Sequence, residues 1–279
     1  MTGTKKIPLA GVIGSPIAHS RSPFLHGHWL KRYDLAGHYI PMDVSQADLP
    51  DVLRMLPKMG FVGVNVTIPH KESVIRLADV VTDRAAVIGA ANTLTFRRDG
   101  KLQADNTDGF GFMENLRKGA PDWDPRSGSA VVYGAGGASR AVLASLLDAG
   151  VPSIRLANRT RGRAEALREE FGTRIEVHDW NRAGAMLEGA ALAVNTTALG
   201  MSGQPPLSVP LDALSSDTVV TDLVYNPLET PFLRAALERG CRTVDGLGML
   251  LYQALPGFER WFGKRPEVDD ALRRAVLAG

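Results

Sequence analysis

Cysteine is nearly absent from this chain of 279 residues: Cys241 stands alone, which excludes an internal disulfide and a thiolate metal cage. A lone thiol reads as a small buried hydrophobe and suits a reducing compartment. Charge of one sign is missing too. The 32 Lys and Arg against 30 Asp and Glu leave a formal +2, no broad footprint for nucleic acid or an anionic membrane. The expected partner is a small molecule. No apolar run approaches the ~20 residues of a bilayer span. The basic start, MTGTKK, precedes a segment interrupted by Pro8, Gly11, Gly14 and Pro16, which reads as neither signal peptide nor span. Fixed-period repeats and low-complexity tracts are lacking as well. These absences lead to the expectation of a cytoplasmic protein with no nucleic-acid or membrane partner; a monomer or homodimer is expected on no particular sequence feature.

What is present is an alternation of short β-rich runs and helical patterns, over a length that favours two domains. IPLAGVIG, a helix from about Ser22 to Tyr33, HYIPMDV, a helix near Asp48 to Lys58, and FVGVNVTI read as βαβαβ, hence a parallel sheet. Periodicity in the first helix groups Phe24, Leu25, His28 and Trp29 on one face, with Ser22 as N-cap and Pro23 at the first helical position. After the structureless stretch Gly119 to Ser129, a second series begins: SAVVY, SIRLAN, RIEV, LAVN, TVVTDL and RTVD, separated by helices such as Ser139 to Asp148 and Arg163 to Glu170. The fold class expected is α/β.

GAGGAS (Gly134 to Ser139) directly follows the strand AVVY and opens a helix, the context a dinucleotide fingerprint requires. Gly134 permits the tight turn, Gly136 lets the backbone approach a pyrophosphate, and the helix start offers unpaired amides. Ser139 replaces the third glycine. The next strand ends in Asn158-Arg159-Thr160, where an NAD-binding protein would place a carboxylate for the ribose hydroxyls. Arg159 and Arg163 suit the 2′-phosphate of NADP instead; the competing reading is a solvated helix start.

A hydride acceptor carbon needs a proton donor beside its oxygen. VNVTIPHKE places Lys71 at the expected start of a helix after a strand, and ADNTDGFGF places Asp108 where a polar turn becomes a helix. A lysine is a poor base near neutrality unless its surroundings depress its ordinary value of ~10.4, while a neighbouring aspartate favours the charged form. Physics alone does not join the two in space. His26 and His28, two apart on a helix, point to different faces, so no metal pair is expected. His19 and His70 are read as loop supports.

Taken together, GSPIAHSRSP (Gly14 to Pro23), NVTIPHKE, GAANTL (Gly89 to Leu94), DNTDG, GAGGASRA, NRT, NTTALGM (Asn195 to Met201), DLVYNP (Asp222 to Pro227) and DGLGMLLYQA (Asp245 to Ala254) closely resemble the shikimate dehydrogenase family over almost the whole chain. The resemblance implies NADPH-dependent, reversible reduction of 3-dehydroshikimate to shikimate, on the route to chorismate and the aromatic amino acids. It implies two α/β domains flanking a cleft: a substrate-binding catalytic domain of residues 1–112 plus 247–279, and a Rossmann-type NADP-binding domain of residues 113–246. It assigns Ser20, Ser22 and Tyr225 to the substrate carboxylate, Thr67, Asn92, Asp108 and Gln253 to the ring hydroxyls, and Lys71 to acid/base work at the C3 oxygen, oriented by Asp108. Gly134, Ala135, Gly136, Gly137 and Ala138 would line the pyrophosphate. Asn158, Arg159, Thr160 and Arg163 would hold the adenosine end, and Leu223, Gly246 and Met249 the nicotinamide side. Asp83 also matches a cofactor position, although an acid at a helix start is an equal reading. Ala198, Leu223 and Tyr252 depart from the common pattern without removing an assigned polar group.

Two alternatives remain. A quinate or amino-analogue oxidising relative is disfavoured by Ser22, where threonine accompanies quinate use. A regulatory module without catalysis would have lost Lys71 or Asp108, and both are present.

Overall fold

Residues 7–279 are described in the computed structural model, so the basic segment Met1–Lys6 lies outside the described residues. The chain divides into two units, one running to Thr107 and resuming at Gln253–Gly279, the other Asp108–Tyr252. The sequence-based divisions at 112/113 and 246/247 differ from these by a few residues. A helix beginning at Asp108 packs on the second unit through Phe112 and Leu116, which carries the first division back to its start.

In the first unit the order is β1 (Leu9–Gly14), α1 (Ser22–Arg32), β2 (His38–Asp43), α2 (Leu49–Met55), β3 (Phe61–Val66), β4 (Val80–Val81), α3 (Asp83–Ile88), β5 (Thr93–Phe96) and β6 (Leu102–Asp105). The sheet runs β2-β1-β3-β5-β6-β4. β1, β2 and β3 are parallel as expected, but β5 is antiparallel to both β3 and β6, so the sheet is mixed rather than parallel. A four-residue strand pair joined through Arg97–Lys101 needs no crossover helix. Its core gathers Ile13, Leu53, Phe61, Val64, Val66, Leu94 and Ala104.

Three local expectations are corrected. Arg21, not Ser22, is the N-cap of α1, with Ser22 and Pro23 its first two helical residues; proline is tolerated there because early helical amides lack partners anyway. α2 stops at Met55 and tightens into a 3-10 turn through Leu56–Met59, since Pro57 removes a backbone donor. Lys71 begins no α-helix. It lies in a turn before the 3-10 segment Ser73–Leu77.

The buried face of α1 also differs, comprising Ser22, Leu25, His26, Trp29 and Leu30, whereas Phe24 is half exposed. His26 is fully buried, stacked on Tyr39 at 3.9 Å between ring centroids and 3° between planes, and surrounded by Trp29, Phe258 and Trp261. Burial pushes its imidazole from 6.5 down to about 3, partly offset by Asn65. Below pH 6.5 the unfolded chain takes up a proton that the folded chain refuses. His26 therefore permits full stability above pH 6.5 and costs stability as pH falls from there toward 3. The expected loss is about 2 kcal/mol by pH 5 relative to pH 7. Urea unfolding at both pH values should show that slope in the native protein and a flatter one in His26→Leu; equal slopes would refute the assignment.

The second unit contains α4 (Asp108–Gly119), β7 (Ser129–Tyr133), α5 (Gly137–Asp148), β8 (Ile154–Ala157), α6 (Arg161–Phe171), β9 (Ile175–His178), β10 (Ala190–Asn195), β11 (Val219–Asp222), α7 (Pro231–Leu237) and β12 (Arg242–Val244). α8 (Leu247–Phe262) is shared at Tyr252/Gln253, and α9 (Asp270–Ala278) closes the first unit. All six strands of the second sheet are parallel, in the order β12-β11-β10-β7-β8-β9. That is the doubly wound dinucleotide-binding order, with its switch point between β7 and β10. Every residue of SAVVY is buried because both faces are covered. Val132, Leu156 and Val194 face the layer of α5, while Val131, Tyr133 and Ala193 face Met186, Leu211 and Phe232.

Candidate active site

In the first unit the topology brings four chain segments to one sheet edge. The carboxyl ends of parallel β1 and β3 share that edge with the start of antiparallel β5 and the end of β6. The loops after β1 and β3 are stitched together: Ser15 N–H donates to the Ile68 carbonyl at 3.0 Å, and Thr67 N–H to the Ile13 carbonyl at 2.9 Å. Gly14 makes this approach possible, since a Cβ there would lie 2.5 Å from Thr67 Cγ2. Ser22 is buried at the start of α1, and its N–H points to Ser20 Oγ at 3.4 Å. The Lys71 carbonyl accepts from Ala91 N–H at 2.8 Å, which fixes the lysine beside the start of β5. His70 is buried and donates from Nε2 to the Val44 carbonyl at 2.7 Å, a loop support, whereas His19 is exposed.

Asn92 is the hub of this edge. Its side-chain amide donates to Gln253 Oε1 at 2.9 Å, and its Oδ1 accepts from Thr107 N–H at 2.8 Å and the Thr93 hydroxyl at 2.9 Å. The Thr107 hydroxyl donates to the Gln253 carbonyl at 2.8 Å. Asn65 donates to the Asn92 carbonyl at 3.1 Å and to Thr93 Oγ1 at 3.2 Å. The end of β6 is anchored through Asp105, which accepts two bonds from Arg84, both at 2.6 Å, one from Thr82 at 2.9 Å and one from Arg260 at 3.3 Å. Burial pushes its carboxyl up, but Arg84, Thr82 and then Arg260 outweigh this and hold it below the usual range. Asp108, three residues further on, is buried at the first position of α4. Asp83 is exposed at the start of α3, next to the Thr82 N-cap.

In the second unit, Gly134 adopts φ +110°, and a Cβ there would meet Thr196 Oγ1 at 2.6 Å. Ser139 donates to the Gly134 carbonyl at 2.8 Å and accepts from Gly136 N–H at 3.1 Å, which ties the loop to α5. Asn158 links loop and second strand: its Oδ1 accepts from Ala135 N–H at 3.1 Å, and its amide donates to the Thr160 carbonyl at 2.8 Å. Around Gly136 and Gly137 a Cβ would meet nothing within 4 Å, leaving an open cradle of backbone at the helix start. Arg161 pairs with Glu165 and Asp179, both at 2.7 Å. The guanidinium groups of Arg159 and Arg163 have no ion-pair partner among the described residues, and both side chains are exposed. Two glycine substitutions separate turn from cradle. Gly134→Ala should destabilise the protein by more than ~1 kcal/mol through strain and contact. Gly136→Ala should leave the melting temperature nearly unchanged yet weaken NADP binding, and thermal melts with NADP titration check both.

Leu223 and Tyr225 follow β11 and are positioned by Asp222. This buried carboxylate accepts from Asn195 at 2.9 Å, Val224 N–H at 2.9 Å and Thr230 at 2.7 Å, and burial pushes it above its ordinary value despite those bonds. Asn195 in turn accepts from Thr197 N–H at 3.0 Å, which shapes the NTTALGM loop. Gly246 lies against the Leu223 backbone so closely that a Cβ would be 2.4 Å from the Leu223 carbonyl oxygen. Leu223 and Met249 both pack partly buried on the core of this unit. Asn65, Thr107, Asn195 and Asp222 escaped the sequence reading although each sits inside a quoted motif; a buried polar residue beside a candidate was the available signal. Among the described residues no group of three metal-ligating side chains is found, and no helix is long and apolar enough to cross a membrane.

Three family models match the sequence: the shikimate dehydrogenase substrate binding domain over residues 12–94, shikimate / quinate 5-dehydrogenase over 122–200, and the shikimate 5'-dehydrogenase C-terminal domain over 246–277. The shikimate dehydrogenase (NADP(+)) of Cereibacter sphaeroides is 70% identical over 278 residues, covering 100% of both chains. Among solved structures, shikimate 5-dehydrogenase from Thermus thermophilus, in complex with NADP(H) and shikimate, is 37% identical with TM-score 0.86, covering 98% of this chain and 99% of that one. Quinate dehydrogenase from Corynebacterium glutamicum, in complex with NAD, is 32% identical with TM-score 0.90, covering 97% and 99%.

Proposed function

The chain belongs to the shikimate dehydrogenase family, and from that premise we propose that it reduces 3-dehydroshikimate reversibly to shikimate with NADP as its cofactor. The observation that carries the cofactor half is the pair Arg159 and Arg163, left without ion-pair partners beside an Arg161 that has two. Two guanidinium groups free of carboxylates suit a 2′-phosphate. The cradle of Gly134 to Ala138 receives the pyrophosphate, Asn158 and Thr160 the adenosine end, and Leu223, Gly246 and Met249 the nicotinamide, with Asp83 as a further contact. When bound, NADPH supplies the hydride.

On the substrate side, Ser20, Ser22 and Tyr225 bind the carboxylate through their hydroxyls. Thr67, Asn92, Asp108 and Gln253 bind the ring hydroxyls. The hydrogen bond between Asn92 and Gln253 supports this assignment, because it places two polar groups of the set at one sheet edge. Lys71 gives a proton to the C3 oxygen as the ketone becomes an alcohol and takes it back in the reverse direction, with Asp108 holding the ammonium in place. The protein works in the cytoplasm, as monomer or homodimer. The test is product identity: 3-dehydroshikimate and NADPH incubated with the purified protein should yield shikimate by chromatography against the authentic compound. Recovery of unchanged 3-dehydroshikimate would refute the proposal.

A further inference from the structure

β2 is an edge strand with one buried side chain, and that side chain is Tyr39. A phenylalanine would fill the space without a hydroxyl to satisfy, and a buried hydroxyl costs stability unless it is bonded. The Tyr39 hydroxyl donates to Asn65 Oδ1 at 2.7 Å. Asn65 carries the connection onward to the Asn92 carbonyl and Thr93, and Asn92 carries it to Gln253. The phenol ring is clamped on its face by His26, whose ring nitrogens make no regular hydrogen bond. His26 thus acts on Tyr39 as a flat, neutral plate.

We propose that Tyr39 is a positioning residue for the substrate: its hydroxyl fixes Asn65 and, through it, Asn92 and Gln253, at the ring-hydroxyl end. The inference rests on the function proposed above. Asn65 Oδ1 has the phenol as its donor. Without that hydroxyl the acceptor is left buried and unpaired, and the amide that holds Asn92 is free to turn. The ring-hydroxyl end of the substrate loses its register, while neither Lys71 nor the nucleotide loops are touched.

The test is the kinetics of Tyr39→Phe, which conserves volume and removes the hydroxyl alone. The Michaelis constant for shikimate should rise about tenfold, with turnover and the Michaelis constant for NADP within about threefold of the unmodified protein. A purely structural hydroxyl would instead lower the melting temperature and the active fraction and leave both Michaelis constants unchanged, which would overturn the inference. His26→Leu, which keeps apolar bulk but removes the flat plate, should raise the shikimate constant in the same direction, and it decides the matter if Tyr39→Phe does not fold. An unmodified protein that fails to oxidise shikimate would overturn the functional reading and this inference with it. Normal turnover in the unmodified protein with an unaltered shikimate constant in both variants overturns the inference alone.

Discussion

Replacing Lys71 by alanine is expected to lower turnover by about 10²–10⁴, the range for removing a positioned general acid or base. The proton that Lys71 moves has no second donor at the C3 oxygen in the proposed arrangement: Ser20, Ser22, Thr67, Asn92 and Gln253 are neutral hydroxyl and amide groups, the Tyr225 phenol is assigned to the carboxylate, and Asp108 to holding the ammonium. The lysine backbone is tied to Ala91 through its carbonyl, a bond that any residue at this position can accept, so the turn should survive the substitution. The loss should therefore appear in turnover and in turnover over Michaelis constant together, as expected when an interaction made in the transition state is removed. The Michaelis constant for NADP should stay near its original value. Steady-state kinetics with shikimate and NADP check this, and turnover within a factor of a few of the unmodified protein would remove Lys71 from the chemistry.

Arg159→Ala should raise the Michaelis constant for NADP by about ten- to a hundredfold, from a charge-assisted bond of roughly 1.5–3 kcal/mol, and leave that for NAD nearly unchanged. NAD lacks the phosphate, so the arginine has nothing to grip there. The neighbour Arg161 supplies an internal control. Its pairs with Glu165 and Asp179 hold α6 and β9, so Arg161→Ala should act on stability modestly and on neither cofactor selectively. Equal effects of Arg159→Ala on NADP and NAD would return Arg159 to the role of a solvated residue at a helix start.

The second sheet was the legible part of this fold. Central runs buried along nearly their whole length, such as SAVVY and LAVN, alternating for most of the series with helical stretches, point to a parallel layer, and SAVVY followed by a glycine turn marks its first strand. The first sheet was harder to read because Thr93–Phe96 and Leu102–Asp105 are four residues each, too short for alternation to declare itself. The misread face of α1 has another cause. Hydrophobic periodicity cannot select His26 over Phe24, since what buries the histidine is an aromatic surround supplied partly by Phe258 and Trp261, more than two hundred positions along the chain. Proline chemistry at Pro57 would have shortened α2 had it been given more weight than the apolar pattern. In the candidate site, element ends and glycine geometry could be argued from residue type alone. The partners of Asn92 could not. Gln253 lies far along the chain, and only the resemblance to a known family proposed the two together.

The most direct test of the central claim is nicotinamide absorbance with purified protein, given shikimate or quinate, each with NADP or NAD, at matched concentrations. Strong reduction of the nucleotide with shikimate and NADP, and weak signals in the other three mixtures, is the predicted result. A stronger signal with quinate, or with NAD, would contradict it.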